Sequence, residues 1–118
     1  MKEEISERFL SFAATIIELG REINKSFEGK HVYQQLFRSG SSAGANYEES
    51  HSAQSKRDFI HKREVSLKEL RESLFWLKLI EKAALVKEKS GVLKFLLTEN
   101  DELIRIMAKS VKTTKERS

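Results

Sequence analysis

The chain has 118 residues, no cysteine, no proline and 34% charged residues, with a formal net charge of +4. A chain of that length suits one domain with its own apolar core, and the missing cysteine excludes a disulfide framework and a thiolate zinc site. The charge is uneven: residues 1–59 carry 8 Lys/Arg against 9 Asp/Glu, whereas residues 60–118 carry 14 against 9.

The first segment, MKEEISERFL, mixes charged and apolar residues, unlike the uninterrupted apolar stretch of a signal peptide. No stretch approaches the roughly 18 to 20 apolar residues of a membrane span. A cytoplasmic protein with no membrane association is therefore expected. With no proline and few turn residues, the composition favours long helices over a sheet.

Phe9, Phe12, Ile16, Leu19 and Ile23 recur at spacings of three and four, which predicts a helix over 6–26 with one apolar face. Phe27-Glu28-Gly29-Lys30 reads as its stop, with the glycine closing the helix. A second helix over 31–51 places Val32, Leu36, Gly40, Ala43, Tyr47 and Ser50 in one register. The run GSSAG at 40–44 falls inside it, so it reads as a packing surface rather than a linker. It is no phosphate loop either, because no Gly-Lys-Ser/Thr follows and no strand precedes it. Close packing, or a hydrogen bond from Ser39 or Ser42 across a seam, would offset the helix propensity that glycine and serine lose.

Ser55 with Asp58 three residues on has the form of a capping box, and predicts a helix over 56–84 with a stripe of Phe59, Arg63, Ser66, Leu67, Leu70, Leu74 and Leu77. The last helix, over 92–112, presents Leu93, Leu96, Leu97, Leu103, Ile104, Met107 and Val111, and residues 113–118 read as a frayed basic tail. Four such helices with short connections pack most simply as an all-α, up-down-up-down antiparallel four-helix bundle.

Several side-chain sets go beyond what that bundle needs. Val65, Phe75, Trp76 and Leu79 give the third helix a second apolar face, the composition of a protein–protein contact; the alternative is a helix enclosed on both sides. Lys56, Arg57, Lys62 and Arg63 cluster where the third helix starts. Arg105, Lys109 and Lys112 share one side of the fourth, with Lys115 and Arg117 beyond. Such groups neutralise phosphates in salt-dependent nucleic-acid binding, or form a solvated face with cations at a helix C-terminus. Arg38, Asn46, Glu49, Glu69 and Glu72 read either as a hydrogen-bonded network at a seam or as surface charge paired locally, Glu69 and Glu72 with Lys68 and Arg71.

Glu48-x-x-His51 and Asp58-x-x-His61 match the carboxylate-x-x-His spacing of di-iron bundles. Tyr47 and Ser50 occupy the inward register, however, and Asp58 caps a helix, so no metal and no cofactor are expected. No glycine-flanked serine elbow is present, and the chain reads as a non-enzyme.

Three stretches carry a family resemblance. QLFRSGSSAGANYEES resembles the Q-L-x-R-S-x-x-S-x-x-x-N-x-x-E-G segment of the 23S rRNA intervening-sequence proteins. LKELRESLFWLKL resembles their K-E-x-x-E-[ST]-x-[YF]-W-L-x-L helix, and ENDELIRIMAKSVKTTKER their E-x-x-E-L-I-x-I-x-x-x-S-[IV]-K-T-x-K ending. The motif maps onto Gln35, Arg38, Ser39, Ser42, Asn46, Glu49, Glu69, Glu72 and Trp76. Two positions depart from it: Ser50 stands where the family has glycine, and Ala43-Gly44 replaces Ile-Pro. The resemblance implies a four-helix bundle in a ring-like homopentamer without catalytic activity. It also implies a distant likeness to the accessory protein of diversity-generating retroelements, a basic pentameric barrel that binds nucleic acid and a reverse transcriptase. Some members are encoded within rRNA genes. The expected partners are thus other copies of the chain, RNA or DNA, and a reverse transcriptase or ribosomal RNA.

Overall fold

The computed structural model describes residues 2–117. Four helices follow one another, α1 (Lys2–Gly20), α2 (Phe27–Ser50), α3 (Lys56–Lys82) and α4 (Gly91–Glu116). Each packs against its neighbours in the chain, and α1 closes the ring against α4, while the diagonal pairs stay apart. This is the expected up-down-up-down bundle, drawn out to 49 × 22 × 21 Å. Among the described residues no helix is long and apolar enough to cross a membrane.

The predicted registers of the first two helices hold throughout: Phe9, Phe12, Ile16, Leu19 and Ile23, and Val32, Leu36, Gly40, Ala43, Tyr47 and Ser50, are all buried. Each such large apolar side chain contributes about 1.5–3 kcal/mol by leaving water. In α3 the inward face is turned from the predicted stripe, because Glu69, Ser73 and Ile80 are buried while Phe59, Arg63 and Leu74 are only partly so.

The helix ends differ from expectation, beginning with α1, which starts at Lys2 rather than near residue 6. α1 stops at Gly20 rather than near residue 26, although Ile23 still folds back into the core. Gly29 does not end a helix. Ser26 caps α2 instead, its Oγ accepting from the Gly29 amide at 3.0 Å. The absence of a side chain at Gly29 serves a close approach, since a Cβ there would collide with the Asn24 carbonyl. α4 continues through the expected tail to Glu116, held by Thr114 Oγ donating to Ser110 O at 2.8 Å and by Lys115 reaching Glu64 at 2.7 Å. The Ser55 cap forms as predicted, accepting from the Asp58 amide at 3.0 Å.

Candidate functional site

The residues that bear on function lie along α2 and its two seams, and at one end of the bundle. On its α1 side, α2 offers Gly40 and Gly44. A Cβ on Gly40 would collide with Ile16 Cδ1, and one on Gly44 would stand 3.3 Å from Phe9 Cβ. The two glycines therefore let α1 approach the α2 backbone, as a packing surface requires. Ser39, just before the run, and Ser42 within it do not cross a seam, however. Ser39 Oγ donates to Leu36 O at 3.2 Å within its own helix, and Ser42 accepts from Asn46 Nδ2 at 3.2 Å. The crossing bond comes from the other helix, where buried Ser66 Oγ donates to Ala43 O at 2.8 Å.

The α3 side of α2 is polar. Arg38 Nη1 donates to Glu69 Oε2 at 3.0 Å, and its Nη2 to Glu72. Glu72 also accepts from the Trp76 indole Nε1–H at 3.0 Å. That indole bond first, and Arg38 second, hold the Glu72 carboxyl below its usual range. Glu69 is only 8% exposed whereas Arg38 is half-exposed, so the pair joins a nearly buried carboxylate to a cation at the rim. Of the five residues in that set, Arg38, Glu69 and Glu72 are linked across the two helices, and among the described residues neither carboxylate forms an ion pair with Lys68 or Arg71; the other two stay outside the link. Asn46 serves its own helix, donating to Ser42 O at 2.9 Å, and Glu49 pairs with Lys62 at 2.7 Å.

The two basic sets, Arg105 excepted, meet at one end of the molecule, because antiparallel packing lays the start of α3 against the end of α4; Arg105 lies near the middle of α4, beside Leu74 and Lys78. At the shared end Lys115 Nζ reaches Glu64 at 2.7 Å and Arg63 Nη1 reaches Ser110 Oγ at 2.7 Å. Lys56, Arg57, Lys109 and Lys112 are exposed. Lys62, Arg105 and Lys115 are each paired with a carboxylate, Glu49, Asp101 and Glu64 respectively.

Arg63 does not belong to this surface. Its guanidinium is half-buried, lies 4.6 Å from the Tyr47 ring centroid and 4.3 Å from that of Phe59, and donates through Nε to Ser50 Oγ at 2.9 Å. Burial lowers its pKa. The planar, weakly hydrated head suits stacking between rings, and Ser50, the departure from the family glycine, supplies its acceptor.

The candidate contact residues on α3 divide. Phe75 is 58% exposed, while Trp76, Leu79 and Val65 are partly buried, and Trp76 and Leu79 pack against the core. The Trp76 ring touches Phe75 edge-on at 5.0 Å and His31 at 6.2 Å. Glu48 and His61 are exposed, His51 and Asp58 partly so, and among the described residues no group of three His, Asp or Glu is placed to hold a metal ion.

Two polar links are not foreseen by the sequence patterns. Buried Asn100 donates through Nδ2 to Leu70 O at 2.9 Å, with Ser73 Oγ 2.9 Å from its Oδ1. Glu99, 9% exposed, receives Arg8 of α1 in a fork of 2.9 and 2.6 Å. Asn100 sits in the apolar register between Leu96 and Leu103, which is a readable signal. The Arg8–Glu99 pair has none, since ninety-one residues separate its members.

The family profile described as 23S rRNA-intervening sequence protein matches residues 1–109 of the chain. Among solved structures, a crystal structure of a protein with unknown function from the S23 ribosomal protein family of Bacteroides thetaiotaomicron VPI-5482 superposes with a TM-score of 0.82. It is 28% identical, over 92% of this chain and 98% of that one. No curated protein matches the chain.

Proposed function

The chain belongs to the 23S rRNA-intervening sequence protein family, and from that premise we propose that it acts by binding rather than by catalysis, as a cytoplasmic homo-oligomer whose basic end receives nucleic acid or a nucleic-acid-processing partner. The oligomer is a pentamer, as the family resemblance implies, with Phe75 at the contact and Val65, Trp76 and Leu79 backing it. The ligand is RNA or DNA.

The observation that carries this reading is the gathering of two cation sets, about fifty residues apart in sequence, onto one end of the bundle. Lys56, Arg57, Lys109 and Lys112 stand there exposed, and among the described residues none of them is drawn into an ion pair. Exposed lysines and arginines so placed release counterions from a phosphate backbone without reading bases. Repetition around an oligomer multiplies the contact through effective concentration.

The test is a salt series with single-stranded RNA, duplex RNA and DNA. The proposal expects binding that weakens linearly in log[salt] and that drops when Lys56, Lys109 and Lys112 are together changed to alanine. Absence of binding at about 50 mM salt, where such contacts are strong, would leave a protein-interaction module whose positive charge serves solubility.

A further inference from the structure

The structure supplies a second half for the self-association surface that the sequence left one-sided. Where α1 and α2 run side by side, small residues leave an outward-facing groove of about 680 Å³, lined by Leu10, Ala13, Ser41, Gly44 and Ala45 with Phe9 at its floor. Leu10 is 66% exposed, an unusual position for a leucine beside an open apolar groove. One end of the groove is acidic, with Glu3, Glu7 and Glu48 exposed along it.

On α3, the helix diagonal to α1 in the bundle, an exposed ridge has the opposite character. Phe75 stands on a stripe with Lys68, Arg71, Lys78 and Lys82, all exposed. Steps of three and four residues put the four cations on the same side as the ring. Among the described residues none of these cations forms an ion pair. The molecule therefore carries an apolar recess with an acidic lip and, on a different side, an aromatic knob flanked by positive charge.

We propose that the α1–α2 groove of one copy takes the Phe75 ridge of a second copy, so that the chain assembles head to tail. This rests on the self-association reading above and names both of its surfaces. A ring of this size entering a preformed recess is the kind of anchor that dominates interface energetics, and the lysines set its register against Glu3, Glu7 and Glu48. Because the two patches differ, the contact is heterologous, the type that closes into rings when the rotation allows. Gly44 then acts twice, letting α1 approach α2 and keeping the groove open.

The test uses two variants at exposed positions, each checked for an unchanged circular-dichroism spectrum and melting transition. Leu10→Lys with Ala45→Lys fills the groove with charge of the ridge's own sign, and Phe75→Gln removes the knob. By sedimentation, the wild type is expected to be larger than a monomer and each variant to be monomeric. Mixing the variants is expected to restore association, but only to a one-to-one dimer, because each retains one intact surface. A groove variant that keeps the wild-type mass, or a mixture that stays monomeric while the wild type is oligomeric, overturns the pairing of groove and ridge alone. A wild type that is itself monomeric overturns the self-association reading and this pairing together.

Discussion

The two seams of α2 solve the same packing problem by opposite means. Toward α1 the helix sheds side chains, and Gly40 and Gly44 let Ile16 and Phe9 rest against its backbone. Toward α3 it keeps polar groups, and Arg38, Ser50 and the Ala43 carbonyl are bonded to Glu69, Arg63 and Ser66. A seam built on absent atoms is intolerant of added volume but has no partner to lose. A seam built on hydrogen bonds tolerates volume at its rim but not the removal of one partner from a pair. One run of small residues serves both, because successive helical positions face different neighbours.

The largest effect is expected from adding volume to the first seam. Gly40→Val would force the fully buried Ile16 and Phe12 aside, at a cost of about 3 kcal/mol as for other overpacked cores. Ser42→Ala, on the other side of the same turn, removes only a local hydrogen bond and should change urea-unfolding stability by less than about 0.5 kcal/mol. Equal losses in the two variants would erase the distinction between the seams.

Next comes Arg63→Ala, which deletes two hydrogen bonds and the stacking on Tyr47 and Phe59. A loss of about 2 kcal/mol is expected in the same assay. Arg38→Ala should cost less, about 1–2 kcal/mol, by leaving the Glu69 carboxylate without its cation. Combining Arg38→Met with Glu69→Leu should recover part of that loss, since removing both partners leaves no buried charge. A double variant as unstable as the single one would mean that the pair acts through packing rather than charge.

The smallest effect is a pH dependence. Glu72 has a folded pKa below its unfolded value of 4.5, so its contribution is fully present above about pH 4.5–5 and is lost as pH falls through the lower, folded value. Thermal melts between pH 7 and pH 3 should show that decline, and Glu72→Gln should flatten it. An unchanged profile in the variant would mean that Glu72 does not couple folding to pH.

What the sequence made legible follows from the same contrast. Apolar periodicity is local, so the faces of α1 and α2 and the place of GSSAG could be read without a structure. The end of α1 could not, because Ile23 keeps the helical spacing after the helix has stopped, and Gly29 looks the same whether it ends a helix or clears a path for the Asn24 carbonyl. Arg63 counted equally as a stripe position and as a surface cation, and only the rings of Tyr47 and Phe59 decide between them. The Arg8–Glu99 fork and the α1–α2 groove depend on which helices become neighbours. The joining of the α3 and α4 cation sets depends on the same neighbour relation, and the sequence showed them only as two separate clusters.

The most direct test of the central claim is to compare salt slopes for single-stranded RNA between two lysine pairs at opposite ends of the bundle. Lys109→Ala with Lys112→Ala removes charge where α4 ends, and Lys87→Ala with Lys89→Ala removes as much just before α4 begins. A basic end that receives RNA predicts that the slope of log K against log[salt] falls in magnitude by about 1.4 for the first pair, roughly 0.7 for each phosphate no longer neutralised, and stays unchanged for the second. Equal changes in both variants, or a change confined to Lys87 and Lys89, would contradict it.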